Sequence, residues 1–153
     1  MVSKKRGYLR SGGAPGTDTA FEKGASLVNK ELMEIYLPWK GFNGRSSNLV
    51  VKDKKAFEIA QKYHPHYTYL KQGAKKLQAR NSHQVLGQDL CSKSDFVLCY
   101  TRSGGEEGGT GQAIRIANDL NIPIFNFGLY RDIEICRNEF MKFIEPYFPK
   151  KSA

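Results

Sequence analysis

Two hydrophobic rhythms alternate along the chain. GYLRS (7–11), LMEIYLP (32–38), SDFVLCYT (94–101) and IFNFG (124–128) are short segments bounded by turn residues and read as strands. The continuous apolar run in SDFVLCYT suits a parallel strand covered on both faces. Between them lie stretches of helical spacing. TDTAFEKGASLVNKE (17–31) predicts a helix with Thr17 or Asp18 as its cap, and DKKAFEIAQKYHP (53–65) places Ala56, Phe57, Ile59 and Ala60 on one side, with Asp53 as cap and Pro65 as stop. A further helix falls within 67–87 and ends at Gly87. Another follows RSGGEEGG, with Ala113, Ile114, Ala117 and Leu120 on one side, and YRDIEICRNEFMKFIEPYF (130–148) closes the chain with Ile133, Cys136, Phe140 and Ile144 as its apolar face. Strands separated by helices predict an α/β fold of three layers, with a mostly parallel sheet of about four strands and helices on both faces. The 153 residues suffice for one domain, 1–153, with a continuous core.

Charge and cysteine content narrow the setting. Twenty-four Lys and Arg against 15 Asp and Glu give a formal charge of +9, which suits anionic partners or simply a soluble surface. Cys91, Cys99 and Cys136 are odd in number and form no metal-ligand spacing, so they read as small buried thiols of a reduced, cytoplasmic protein. The basic start MVSKKRGYLRSGG has no apolar run behind it, and no stretch approaches the roughly 20 apolar residues of a membrane span. Neither export nor a membrane partner is expected.

The chemistry concentrates in two glycine-rich turns, SGGAPGTD (11–18) and SGGEEGGTGQ (103–112), each leaving a strand and opening a helix. Glycine lets the backbone approach a ligand closely, and the N–H groups of a helix start favour an anion. In a parallel sheet both turns lie at the carboxyl ends of their strands, where ligands bind in open α/β folds. Ser11, Gly12, Gly13, Gly16 and Thr17 are candidates to cradle one phosphate, and Gly108, Gly109, Thr110, Gly111 and Gln112 a second group, with Arg10, Arg80 and Arg115 neutralising charge. Asn81 and Gln84, beside Arg80 in ARNSHQVLG, can read a base edge or simply end a helix. Trp39 and Phe42, with Tyr36 nearby and Lys40 and Arg45 interleaved, suit base stacking or a hydrophobic plug. Asp18 and Glu22, one helical turn apart, are carboxylates that can face the rim; Glu106 and Glu107 in the second turn repel a phosphate unless they face solvent, a ribose hydroxyl or a proton. For Glu22 a solvated helix position is the simpler expectation. His64 and His66 lack an acidic or cysteine partner at ligand spacing, so no metal is expected.

LRSGGAPGTDTAFEKGA (9–25) resembles the signature of DNA-processing protein A, a recombination mediator that loads recombinase onto single-stranded DNA, and GGTGQAIRIANDLNIPIFNFG (108–128) resembles the second loop of the SLOG superfamily of Rossmann-like nucleotide binders. With EIYLPWKGFNG, HPHYTYL, ARNSHQVLG and DFVLCYT, the chain is similar over nearly its whole length to small DprA-like proteins common in bacteriophages. The resemblance implies a Rossmann-like domain and a nucleotide or single-stranded DNA as partner, with no cofactor required beyond such a bound nucleotide. Members of that group usually carry a further strand, a GSR-like turn and a helix before the segment matching GYLRSGG, and these are missing here. Phosphoribohydrolases of the same superfamily carry a catalytic glutamate in GGxGTxxE, where this chain has Gln112, Ala113, Ile114 and Arg115. Three functions follow as expectations. The first is a non-catalytic nucleotide or DNA binder. The second is a nucleotide N-glycoside hydrolase using Asp18, Glu22, Glu106 or Glu107, and the third an interaction protein that binds a host factor or its own copy through an uncovered sheet edge.

Overall fold

A computed structural model describes residues 7–149, and the basic run before Gly7 lies outside them. Strand β1 (Leu9–Ser11) passes through the first glycine turn into helix α1 (Thr17–Ser26), and β2 (Met33–Ile35) returns parallel to β1, with Leu9 opposite Met33 and Ser11 opposite Ile35. A long loop, containing a 3-10 turn at Phe42–Gly44, leads to α2 (Lys54–Tyr63) and α3 (Gln72–Leu86). The strand–turn–helix–strand unit then recurs as β3 (Val97–Cys99), α4 (Gly108–Asp119) and β4 (Ile124–Asn126), with β3 parallel to β4, before α5 (Ile133–Ile144).

The fold is α/β, but the expected sheet of about four strands is divided. β1 pairs with β2 and β3 pairs with β4, and among the described residues no strand joins the pairs. Between β1 and β3 lies instead a cleft of about 660 Å³, bordered by Leu9 and Arg10 on one side and Val97 and Leu98 on the other. The first turns of α1 and α4, which follow β1 and β3, line the same cleft through Thr17 and Gly109. Both strands therefore aim their carboxyl ends at one rim.

Helices α2, α3 and α4 form the main core around Ala56, Ala60, Ala79, Val85, Ile116 and Ala117. Alanine at the contact lets the helix backbones approach closely, which is why this core forms from small residues at helical spacing. Asp53 caps α2 by accepting from the Lys55 N–H at 2.9 Å, as its position predicts, and Gly87 ends α3 by donating to the His83 carbonyl at 2.8 Å. A second cluster stacks Phe125 on Tyr130 and sets it edge-on to Phe127 and Phe140.

Three local expectations are corrected. Helix α1 stops at Ser26 rather than reaching residue 31, because Asn29 accepts from the Glu31 N–H at 2.9 Å and starts a separate 3-10 turn at Lys30–Leu32. Ile133 is 76% exposed, since α5 docks through Phe140 and Phe143 rather than through its first turn. The thiols differ in environment: Cys99 is buried, Cys136 half-buried and Cys91 exposed.

Candidate nucleotide or anion site

The cleft rim is built from two helix starts and one helix flank. Neither α1 nor α4 has a side-chain cap; their N-cap residues are Gly16 and Glu107. Thr17 and Asp18 therefore do not cap α1 as predicted. The chain enters the helix at Gly16 with φ 88°, a conformation only glycine adopts without strain, and the Asp18 carboxylate turns back to accept from the Ala14 N–H at 3.2 Å. The first N–H groups of α1 and α4 are left without intrahelical acceptors, as at every helix start, and among the described residues no side chain replaces them.

Helix α3 ties the two turns together. Arg80 donates through Nη1 to the Gly12 carbonyl, and the next residue, Asn81, donates through Nδ2 to the Gly109 carbonyl at 2.8 Å. A Cβ at Gly12 would overlap the Arg80 guanidinium and lie 2.7 Å from Gln84 Oε1, so glycine leaves room for both side-chain ends. Arg80 is 6% exposed, its Nη1 stands 4.0 Å from Asp18 Oδ2, and the Phe42 ring lies 5.7 Å from its Cζ. Burial lowers the pKa of this guanidinium, against the opposing pull of Asp18. Its Nε is buried and has no hydrogen-bond partner among the described residues. Gln84 lies 3.4 Å from the other Asp18 oxygen, and both line the cleft.

The structure sorts the sequence candidates into three groups. Arg10, Thr17, Asp18, Arg80, Asn81, Gln84, Gly109 and Thr110 all border the cleft, though Arg10 spends its guanidinium on Glu34 at 3.3 Å and the Ser92 carbonyl at 2.5 Å. Gly16 borders it too, while Gly12, Gly13, Gly108 and Gly111 shape the turns without lining it. The others are committed elsewhere. Ser11, 1% exposed, donates to Glu22 at 2.5 Å and accepts from the Gly13 N–H, so its hydroxyl is a brace inside the turn. Gln112 is fully buried, donates to the Ala60 carbonyl at 3.0 Å and accepts from Arg115, which also holds the Tyr63 carbonyl. Both point to α2, away from the rim.

The acidic candidates separate in the same way. Glu22 is not solvated, as its helix position suggested; it is 8% exposed between Ser11 and Arg45, whose Nε lies 2.9 Å from its Oε2 but off the line of a hydrogen bond. Glu106 accepts from Asn118 and Glu107 from the Ser103 N–H, both on the outer surface of the second turn. Asp18 alone of the four carboxylates borders the cleft. Trp39 meets Phe42 edge-on at 5.1 Å, and neither ring lines the cleft; Phe42 covers the back of Arg80. Tyr36 is buried and stacked on His83 at 5.4 Å.

Sequence reasoning missed Glu22, Arg45 and Phe42 as braces of the rim. Their partners lie 11, 23 and 38 positions away in the chain, for Glu22 with Ser11, Arg45 with Glu22 and Phe42 with Arg80, and no local pattern announces such pairs. Among the described residues no group of three or more His, Cys, Asp and Glu side chains is placed to hold a metal ion, and no helix is long and apolar enough to cross a membrane. No family model, no curated protein and no solved structure matches the chain, so the resemblance to DprA-like proteins rests on the motifs quoted above.

Proposed function

We propose that the chain is a single Rossmann-like domain of the SLOG, DprA-like type, whose cleft binds the phosphate of a nucleotide or of single-stranded DNA without turning the ligand over. The observation that carries this reading is the meeting of two uncapped helix starts, α1 and α4, at one cleft that is also lined by the buried, positively charged Arg80. Helix dipole, backbone N–H groups and a guanidinium of low solvent exposure all favour an anion there. A cleft of about 660 Å³ is within the range of nucleotide-sized ligands. The net charge of +9 adds long-range attraction for polyanions.

Binding without turnover fits the placement of the carboxylates. General acid–base chemistry on a glycosidic bond needs a group within reach of the ligand. Of the four candidate carboxylates only Asp18 borders the cleft, already engaged with Ala14, Arg80 and Gln84. Asp95 borders it beside Phe96, at the amino end of β3 and away from the rim.

The test is Gly109→Asp. No atom stands within 4 Å of a Cβ at Gly109, so the variant places a negative charge at the start of α4 without a clash. Titration at low salt with a labelled nucleoside triphosphate and a labelled oligodeoxynucleotide should show saturable binding of at least one, weakened about tenfold or more by Gly109→Asp, equivalent to about 1.4 kcal/mol. Absence of binding by both probes, or equal binding by the variant, would refute the reading.

A further inference from the structure

The cleft continues below the rim as a slot between two strand edges. In a parallel pair, alternate residues turn their N–H and C=O to the neighbouring strand. Ser11 accepts from the Tyr36 N–H on the β2 side, and Val97 donates to the Pro123 carbonyl on the β4 side. Arg10 and Leu98 therefore turn their main-chain groups away from their partners, and both residues border the cleft. Among the described residues no strand accepts or supplies hydrogen bonds there. Unpaired edges of this kind are templates for an added strand.

The slot also has a direction and a sign. β1 and β3 both aim their carboxyl ends at the rim, so a strand parallel to both would run from the Phe96 and Phe148 end toward the starts of α1 and α4. Its carboxyl end would arrive where the N–H groups are uncapped and where the guanidinium-bearing side chain of Arg80, more than nine-tenths buried, lines the cleft. Val85, Phe96, Val97, Leu98 and Phe148 give the lower walls apolar surface, interrupted by the polar Arg10, Lys93, Ser94 and Asp95.

We infer that the slot receives the carboxyl-terminal tail of another polypeptide, an extended apolar segment that pairs with β1 and β3 and sets its terminal carboxylate on the rim. Main-chain pairing supplies the affinity, as in other strand additions, and the carboxylate gives the charge that fits two helix starts and a guanidinium. The inference rests on the proposed anion seat for its terminal contact, while the strand pairing stands apart from it. Tail and nucleotide compete for the rim.

The probe is a fluorescein-labelled octapeptide of two lysines followed by alternating isoleucine and valine, with a free carboxyl end. Two companions carry a terminal amide or N-methyl groups at alternate amides. With the full chain, the free-acid peptide should bind saturably and slow hydrogen exchange at the Arg10 and Leu98 amides. Both companions should bind about tenfold more weakly or worse. No binding by the free-acid peptide, equal binding by all three, or binding without protection of Arg10 and Leu98 overturns the inference. A dimer that already protects both amides without peptide also overturns it, by assigning the slot to a second copy. A parallel nucleotide titration separates the two claims: if nucleotide binds and no peptide does, the anion seat stands and the strand seat falls.

Discussion

Asn81 Nδ2 donates to the Gly109 carbonyl at 2.8 Å, so one side chain of α3 fixes the turn that opens α4, while its neighbour Arg80 fixes the turn that opens α1. Consecutive residues on a helix point about 100° apart, which is how two adjacent side chains reach opposite walls of one cleft. Asn81→Ala removes a part-buried hydrogen bond and should lower stability by about 1 kcal/mol. It should weaken nucleotide binding more than that, because the α4 start loses its anchor; chemical denaturation and ligand titration on the same sample check both.

Gly12→Ala tests the close approach of α3 to the first turn. The added methyl would overlap the Arg80 guanidinium and meet Gln84 Oε1 at 2.7 Å, so these side-chain ends must shift. The expected loss is about 1–3 kcal/mol, the range for overpacking a filled site. An unchanged melting temperature would show that Arg80 yields without cost.

Asp18→Asn should raise affinity for inorganic phosphate several-fold, because it removes the carboxylate beside the start of α1 while keeping an acceptor for the Ala14 N–H. If Asp18 instead holds a ribose hydroxyl, nucleoside affinity falls in the same variant. Isothermal titration with phosphate and with a nucleoside monophosphate distinguishes the outcomes.

Glu22→Gln leaves Arg45 without its charge partner and keeps an oxygen for the Ser11 hydroxyl. Arg45 is partly exposed, so the cost should be about 2 kcal/mol rather than the full penalty of an orphaned buried charge. Urea denaturation of the variant measures it.

Burial pushes the Cys99 thiol up from the usual 9.0 to about 11. The folded state holds this proton more tightly than the unfolded state, so its contribution to stability is full below pH 9 and is lost as pH rises through about 11. Comparing the pH dependence of unfolding for the protein and for Cys99→Ala isolates that loss. At pH 8 a maleimide should modify the exposed Cys91 first and Cys99 last, since the reagent needs an accessible thiolate.

Much of the local architecture was legible in the amino-acid order. Asp53 before an amphipathic run marks the start of α2, Gly87 marks the end of α3, and the apolar run around Val97 marks β3, because caps, helix stops and strand periodicity are local properties. The two glycine turns were legible for the same reason, and both do open helices. The roles of single residues were less so. Ser11 and Gln112 carry the polar chemistry of a binding loop, yet their side chains turn inward to Glu22 and to the Ala60 carbonyl, and a direction set by packing has no signature in neighbouring residues.

The sequence by itself determined an α/β chain with two glycine-opened helices, since hydrophobic period and turn chemistry act over a few residues. Only the tertiary structure decided that the strands divide into two pairs, that Arg80 and Asn81 bridge the two turns, and that Arg10 and Leu98 face one cleft with main-chain groups that no described residue pairs. Those relations join residues 28 to 88 positions apart, roughly the distances from Asn81 to Gly109 and from Arg10 to Leu98, and are fixed by how the helices pack rather than by any local preference.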